Sequence, residues 1–253
     1  MGRAIFFAHE HRRRKLLALI ERPVEVLLFL PARLRRLGRH LRQGVEGWDS
    51  GRWAEDHVFR LLSQFGLWCL ELPLLLLDCV GISEGYELLM DWLKWNSRPL
   101  DAREEALARA LFGDRVNYRR VRLDERAFAG PRQGQFCYVS FYHVNSWGGM
   151  DDALLLHELV HVWQYQRLGS RYISQALRAQ ASSEGYDYGG TEALRRAQAG
   201  GKWLGDFNLE QQADIIADYV RLRRGLAPRW GHGVRDDLPL YEFFVRQLRH
   251  PVR

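Results

Sequence analysis

The chain has 253 residues, 47% of them hydrophobic and 27% charged, and this composition excludes an intrinsically disordered protein. The net charge of +6 is concentrated in residues 1–42, where eleven arginine and lysine residues stand against three glutamates. Aromatic residues do not interleave with these cations as a base-stacking surface requires, so we expect no nucleic-acid partner. The three cysteines form no CxxC pair, which indicates neither a disulfide framework nor a thiolate zinc site.

The N-terminal segment does not have the form of a standard secretory signal peptide. Its apolar core is interrupted by charged residues, and no small-residue cleavage site follows it. We therefore expect synthesis in the cytoplasm, with any export carried out by a specialised secretion machine.

Residues 12–42 predict one or two short amphipathic helices, broken at Pro23 and Pro31. Arginines occupy one face and leucines the other. Such a helix can lie on a membrane surface, or it can pack on its own domain with arginine stems covering apolar surface. The second alternative is favoured.

Residues 61–82 form the most apolar stretch and have the length of a transmembrane helix. Glu71, Pro73 and Asp78 interrupt it, and both acids would be costly at bilayer depth. The stretch is therefore interpreted as a buried helix pair bent at Pro73. Contact of residues 12–82 with a membrane surface stays open as the alternative.

A composition change near residues 97–101 predicts two domains, a helical, basic and apolar region over 1–97 and a second domain over 98–253. Further elements are expected in chain order. Helices are predicted over 84–95, 101–111, 153–168, 171–181, 191–199, 209–224 and 238–248, and strands over 115–125 and 135–146. This order indicates an α+β, mostly helical fold with a small sheet.

The helix predicted over 153–168 contains the sequence HELVH. His157 and His161 are four residues apart, which places both imidazoles on one helix face within reach of a single zinc ion. Glu158 borders the same face without being a ligand, which is the position of a general base. The pattern therefore predicts a Zn²⁺ site with hydrolytic chemistry.

A catalytic zinc ion usually has three protein ligands. The extended motif HExxHxxGxxH is excluded, because Gln164 and Arg167 stand where it requires glycine and histidine. In "FNLEQQADIIADY", Glu210 and Asp214 are four residues apart on one predicted helix face. Glu210 is expected as the third ligand, and Asp214 as the acceptor of a histidine N–H.

Peptide hydrolysis also needs a donor for the oxyanion of the tetrahedral intermediate. Tyr186 and Tyr188, in the glycine-flanked "GYDYGG", are the leading catalytic candidates, and Tyr219, His143 and His232 stay open. The strand over 135–146 leads almost directly into the motif helix. It is the candidate edge for an extended peptide substrate.

HELVH followed by NLEQQAD resembles the gluzincin branch of zinc metallopeptidases, in which the third ligand is the glutamate of an ExxxD stretch. The resemblance implies a zincin-like domain in which His157, His161 and Glu210 are zinc ligands, Glu158 is the general base and Asp214 supports a histidine. The sequence departs from this branch in one respect. Between His161 and Glu210 lie 48 residues, more than is common there, so an excursion must separate the two helices.

A closer resemblance covers about residues 98–220. It rests on an ordered set of segments: "LARALFGDRVNYRRVRL", "HELVHVWQYQRLGSRYI", "GYDYGG" and "FNLEQQADIIADY". This set resembles a bacterial family of HExxH proteins, called Vgr-related or Rhs-associated, that occur near type VI and other contractile injection systems. The resemblance implies a zincin-like fold and a secretion-linked context, with secretion-system components as partners, but no known substrate.

The leading hypothesis is zinc-dependent peptide-bond hydrolysis of a protein or peptide substrate, by an effector or accessory protein of a bacterial secretion system. The alternative is a catalytically silent, zinc-stabilised interaction module that docks onto a secretion or toxin complex. Replacement of Glu158 distinguishes them, because only the enzyme needs a base at that position.

Overall fold

The computed structural model describes residues 2–49, 58–94, 96–127 and 137–249, with the side chains of 2–14, 47–49 and 58–63 left aside. Within these ranges the chain is mostly helical, with nine α-helices and one three-stranded sheet. This confirms the predicted α+β, mostly helical class. The zincin-like fold stays a prediction.

The helices are α1 Gly2–Asp49, α2 Val58–Cys79, α3 Ile82–Leu93, α4 Ala102–Phe112, α5 Asp152–Leu168, α6 Arg171–Ala181, α7 Gly190–Ala199, α8 Leu209–Arg223 and α9 Leu238–Val245. The strands are β1 Arg122–Asp124, β2 Tyr138–Ser140 and β3 His143–Asn145. Short 3-10 helices occur at Leu204–Asp206, Arg235–Asp237 and Arg246–Leu248.

The chain divides into two compact units. The first unit comprises Met1–Trp95 together with Leu168–Ser174, and the second comprises Asn96–Arg167 together with Gln175–Arg253. The predicted domains, 1–97 and 98–253, stay a prediction.

The prolines of the first unit do not break its first helix, so the predicted breaks at Pro23 and Pro31 are wrong. Each proline removes one backbone hydrogen bond, but α1 continues through both. Arg22 precedes the first proline and Arg33 follows the second, and both side chains are buried in ion pairs with glutamates of α3. These pairs hold the helix on either side of the interruption.

The predicted bend of the apolar stretch is also misplaced. Pro73 lies inside the continuous α2, and the chain turns by 68° between Gln64–Cys79 and Ile82–Leu93. Gly81 adopts a left-handed φ of 79° between the two helices, and glycine takes this conformation without a steric penalty. Among the described helices no single one is long and apolar enough to cross a membrane. The bent pair, taken together, has the length and the apolar composition of a membrane span.

The small sheet of the second unit has the order β1–β3–β2, with β3 parallel to β1 and antiparallel to β2. Residues 135 and 136 of the strand predicted over 135–146 lie outside the described residues, and the rest of it is a hairpin of two strands. Its turn contains Phe141 at a φ of 61°, which the sequence does not signal because glycine or asparagine usually occupies such a position. Of the strand predicted over 115–125, β1 is the extended part.

The core of the second unit is built around α5 and α8. Thirteen of the seventeen residues of α5 are buried, so this helix is enclosed by the protein on nearly all sides. The N-terminus of α8 is fixed by the predicted capping box, in which Asn208 and Gln211 exchange side chain to backbone hydrogen bonds of 2.9 and 3.1 Å. Polar side chains on these two helices are therefore held inside the core and need polar partners.

Candidate metal centre

Three donor atoms predicted as metal ligands meet in the core of the second unit. Nε2 of His161 lies 3.2 Å from Nε2 of His157 and 3.2 Å from Oε2 of Glu210. The remaining separation, from His157 Nε2 to Glu210 Oε2, is 3.6 Å. All three residues are buried. The structure thus brings α5 and α8 together at the positions that the sequence singled out.

These separations can be compared with those of a zinc site. Ligand bonds of about 2.0–2.1 Å in a tetrahedron place neighbouring donor atoms about 3.3–3.4 Å apart. The three observed distances, 3.2, 3.2 and 3.6 Å, bracket this value. Two imidazole nitrogens and a carboxylate oxygen are also ligands that zinc accepts. The donor set and its spacing therefore fit a zinc ion.

The other ring nitrogens of the two histidines indicate their protonation. Nδ1 of His157 lies 2.8 Å from a carboxylate oxygen of Asp214, and Nδ1 of His161 lies 2.8 Å from the amide oxygen of Gln164. Both partners accept hydrogen bonds, so each Nδ1 carries a proton and each neutral ring turns the Nε2 lone pair toward the other ring. Two lone pairs and a carboxylate at this distance require a positive charge between them.

A proton is the alternative source of that charge. Burial lowers the pKa of His157, but the carboxylates of Asp214 and Glu210 outweigh it and raise the pKa to about 10. For Glu210, burial raises the pKa, but the two histidines hold it well below its usual range. A proton on His157 would therefore supply the charge where no metal ion is bound, and a metal ion would displace it.

Glu210 is oriented by its place in α8. It lies in the first turn, directly after the Asn208 cap, and its Oε1 accepts a hydrogen bond of 2.8 Å from Gln180. Within the described part of the chain, Oε2 has no hydrogen-bond partner although it is buried. One carboxylate oxygen is thus anchored and the other is directed at the histidines, as a monodentate ligand requires.

Asp214 lies one turn further along α8, as predicted. While one of its oxygens contacts His157, the other accepts a hydrogen bond from the indole N–H of Trp230 and lies 4.0 Å from the guanidinium of Arg229. The sequence analysis missed Trp230, because it lies in the loop before α9 and follows no spacing that relates it to α8.

Gln164 supports the second histidine. Its amide oxygen is bonded to His161, and its amide N–H groups donate to the carbonyl of Leu209 and to the side chain of Gln212, both at 3.0 Å. The sequence interpretation missed this role, although Gln164 lies three residues after His161 and therefore on the same helix face.

Glu158 borders the cluster. Its side chain is buried, and within the described residues its Oε2 has no hydrogen-bond partner. Burial raises its pKa, the two histidines oppose this, and the carboxylates of Glu210 and Asp214 add to the rise. A buried carboxylate with a raised pKa is a stronger base than an exposed one.

The two tyrosines predicted as catalytic are in different surroundings. The ring of Tyr186 is stacked 6.2 Å from that of His157, and burial raises the pKa of its hydroxyl, which remains a donor. Tyr188 is directed elsewhere, because its hydroxyl donates to Asp218 at 2.7 Å and lies 2.9 Å from the hydroxyl of Tyr241. Tyr186 therefore adjoins the cluster, whereas Tyr188 belongs to a buried hydrogen-bond network.

The open alternatives for the oxyanion donor are located as follows. His143 is buried within β3, the hydroxyl of Tyr219 donates to Glu242 at 3.4 Å, and His232 is exposed in the loop before α9. The contact of Tyr219 with Glu242 directs its hydroxyl to α9.

Fold and site together define a mostly helical α+β chain with a buried His–His–Glu cluster that fits zinc. Comparison with known proteins adds a relative of named function. The chain is 33% identical over 135 residues to the type VI secretion system spike protein VgrG2b of Pseudomonas aeruginosa, which covers 48% of this chain and 13% of that protein. No family model and no solved structure matches.

The chain thus spans about 13% of the length of the curated relative that it matches. The similarity supports the Vgr-related part of the resemblance drawn from the sequence. It does not bear on the gluzincin assignment, which rests on the residues alone.

Proposed function

We propose that the second unit is a zinc-dependent hydrolase of peptide bonds. The observation that carries this proposal is the convergence of three ligand atoms, 3.2–3.6 Å apart, beside a buried carboxylate that does not share their hydrogen bonds. His157, His161 and Glu210 would hold the metal. Zinc, when bound, supplies Lewis-acid polarisation of the peptide carbonyl and lowers the pKa of water.

Glu158 is the general base in this proposal. Its carboxylate accepts a proton from the attacking water as the new C–O bond forms. It then delivers the proton to the amine nitrogen when the C–N bond breaks, so that one water is added across the peptide bond. Burial favours the first step, because it raises the pKa of the carboxylate and makes it a stronger base.

Tyr186 is the proposed oxyanion donor. Its ring lies beside His157, and its hydroxyl keeps its proton because burial and the neighbouring carboxylates raise its pKa. A phenol donates to the developing negative charge more strongly than to the neutral carbonyl, so its contribution is made in the transition state.

The proposed substrate is an extended segment of protein. β2 pairs with β3 on one side, and no described strand pairs with its other edge. Cys137 directly precedes β2, and its thiol pKa is raised to about 12 by burial and then by the charge of Glu158, which supports a position of this edge near the base. A peptide that adds to β2 by main-chain pairing would therefore pass the cluster.

The similarity to a type VI spike protein supports a role associated with a secretion system. We propose that the chain acts there as an effector or accessory protein, exported by that system, with its components as partners. A second function deserves testing, because the relative is described as a spike protein: a catalytically silent module that uses zinc for stability and docks onto the secretion complex.

The test is the substitution Glu158→Gln in the full chain. We expect the variant to retain zinc but lose hydrolysis of an unfolded protein substrate, with new N-termini detected by mass spectrometry in the wild-type reaction only. Glu184→Gln is the matched control, since Glu184 is an exposed acid outside the cluster. Equal cleavage by wild type and Glu158→Gln would overturn the mechanism, and absence of cleavage by zinc-loaded wild type would favour the silent module.

A further inference from the structure

The first unit has the polarity of its surface and interior reversed. Among the side chains that the structure describes, 24 large hydrophobic residues are exposed, and 20 of these lie on α1–α3 and the turn between α2 and α3. Of the 39 buried hydrophobic residues, only Ala18, Leu75 and Tyr172 belong to this unit. The apolar side chains of these helices therefore face outward.

The interior of the unit is lined by charged side chains. On α1 the buried polar residues follow spacings of 7, 11 and 7, which return to the same side of an α-helix and form one stripe. The two buried acids of α2 are 7 residues apart, and the three buried acids of α3 follow spacings of 3 and 4. The stripes consist of Lys15, Arg22, Arg33 and His40 on α1, Glu71 and Asp78 on α2, and Glu84, Glu87 and Asp91 on α3.

The stripes are complementary in charge and paired. Arg22 lies 3.5 Å from Glu87, and Arg33 forms an ion pair with Glu84. Arg33 also donates to the backbone carbonyl of Asp78 at 2.6 Å. Basic side chains of α1 thus hold α2 and α3 through their charges rather than through an apolar core.

The segment Leu168–Ser174 satisfies the remaining acids of α2. Ser170 donates to Asp78 from both its backbone N–H and its hydroxyl, and Arg171 lies 2.7 Å from Glu71. Glu71 and Asp78 are therefore hydrogen-bonded as well as buried, as buried ions require.

This arrangement is unfavourable in water. Each buried ion loses its hydration, and each exposed leucine keeps its unfavourable contact with water. Hydrocarbon favours the observed structure instead. The outward leucines then meet a solvent as apolar as themselves, and the inward charges are kept away from that solvent. Ionisable residues of membrane-embedded helices face the bundle interior and pair there, as they do here.

The dimensions and the flanking charges fit a bilayer. From Phe65 to Leu93 every charged side chain is buried, so the surface of this segment is uncharged. On α1, residues 16–34 contain one exposed charged side chain, Glu21, and one partly exposed one, Glu25, which is paired with Arg22. Their length of about 28 Å is close to the roughly 30 Å of a hydrocarbon core. In the sequence, arginines cluster at both ends of that stretch, at 12–14 and 35–42, where anionic headgroups would lie.

We infer that the first unit inserts into the hydrocarbon interior of a lipid bilayer, with its apolar side chains toward the acyl chains and its ion pairs enclosed between α1, α2 and α3. A second copy of the chain or an apolar protein groove would cover one side, whereas here all three helices expose apolar residues. The inference is independent of the zinc chemistry proposed for the second unit.

The test uses the full-length protein, reconstituted from detergent into vesicles of phosphatidylcholine and phosphatidylglycerol. We expect the protein to float with the vesicles and to resist extraction by high salt and by alkaline carbonate. A fluorophore on the exposed Cys69 of α2, in a Cys79→Ala/Cys137→Ala background, should be quenched by nitroxides placed on the lipid acyl chains.

Two double variants provide the matched comparison. Leu27→Glu/Leu28→Glu places two acids on the outward face of α1, where both leucines are 69% exposed, and should reduce the carbonate-resistant fraction about tenfold or more. Leu226→Glu/Val234→Glu places two acids at exposed apolar positions of the second unit and should leave that fraction unchanged. Circular dichroism and thermal melting, measured on both, report whether each variant remains folded.

Three results would overturn the inference. In the first, wild type is removed from vesicles by high salt, which would indicate adsorption of basic residues on the headgroups. In the second, it forms a monodisperse oligomer in detergent-free buffer and does not bind vesicles, which would indicate that a second copy of the chain covers the apolar surface of α1–α3. In the third, the Leu27→Glu/Leu28→Glu variant resists carbonate as well as wild type does.

Discussion

At the scale of single residues, the polar groups of α5 and α8 are explained by one another. His157 and His161 each give one ring nitrogen to a neighbouring acceptor and direct the other at Glu210. An apolar core would not retain three such groups without a positive charge among them, since buried polar atoms must be satisfied. The cluster therefore fits a cation, which we propose to be zinc.

The support of His157 by Asp214 yields a prediction. Asp214→Asn replaces a charged acceptor by a neutral one and weakens the hold on the histidine ring, so zinc affinity should fall about 10–100-fold. The measurement is competition with a chromophoric chelator. Asp236→Asn, at an exposed aspartate outside the cluster, is the control and should bind zinc as wild type does. Equal zinc affinities for all three proteins would show that Asp214 does not support the metal site.

The two tyrosines of "GYDYGG" should separate by their effects. Tyr186→Phe should retain zinc and stability but lower kcat about 10²–10³-fold, because it removes a hydroxyl that acts in the transition state. Tyr188→Phe should instead lower the free energy of unfolding by about 1–3 kcal/mol, because it deprives Asp218 of a buried donor. Kinetics and urea denaturation of both variants check the assignment, and a reversed pattern would contradict it.

Much of the site could be predicted at this scale, because each ligand is marked by a local spacing. HELVH and the ExxxD of Glu210 and Asp214 each occupy one helix face, and the capping box at Asn208 places the second helix. Trp230 could not be predicted, since it reaches Asp214 from a loop with no pattern that relates it to the helix. The depth of burial of Glu158 is likewise a property of the assembled core.

At the scale of elements, glycines determine how loops approach the site. Gly190 begins α7 with a φ of 67°, and a Cβ added there would lie 2.9 Å from the backbone of Gly231 and 3.1 Å from the carbonyl oxygen of Trp230. That loop carries the indole that holds Asp214. The start of α7 and the support of the metal site are therefore coupled by backbone contact.

Gly190→Ala tests this coupling. The substitution adds a left-handed strain of about 1–2 kcal/mol to a clash with the backbone of Gly231, and both lower the stability of the second unit. Gly201→Ala is the matched control, because Gly201 has a φ of 71° with nothing within 4 Å of an added Cβ. Chemical denaturation should show a larger loss for Gly190→Ala, accompanied by weaker zinc binding that Gly201→Ala does not share. Equal losses of stability in the two variants would show that the contact between Gly190 and Gly231 is not the cause.

The helices of the second unit were predictable because caps and glycines mark their ends. Asp101 and Glu104 form the capping box of α4, and Gly113 follows its last turn. The hairpin at Phe141 was not predictable, because glycine or asparagine usually occupies a left-handed turn position. Here the residue is aromatic, and its ring packs against Tyr165. Tertiary packing decides the conformation there.

At the scale of the whole molecule, the two units differ in what their sequences reveal. In the second unit an ordinary division into apolar core and polar surface made the sequence informative. In the first unit the same rule predicted buried leucines over 61–82, yet Leu70, Leu76 and Leu77 are exposed and Glu71 and Asp78 are buried. Helical periodicity identifies a face, but it does not say whether that face turns inward or outward; partner charges on other helices decide this.

The central claim is that the histidines of α5 and Glu210 of α8 hold a metal ion. The most direct measurement is the zinc content, by elemental analysis, of wild type and Glu210→Ala purified side by side. The structure predicts about one zinc ion per chain in wild type and much less in the variant, because Glu210 supplies one of the three convergent ligand atoms. Absence of zinc from wild type after reconstitution would contradict the claim and leave HELVH as a protonated polar cluster in a core helix.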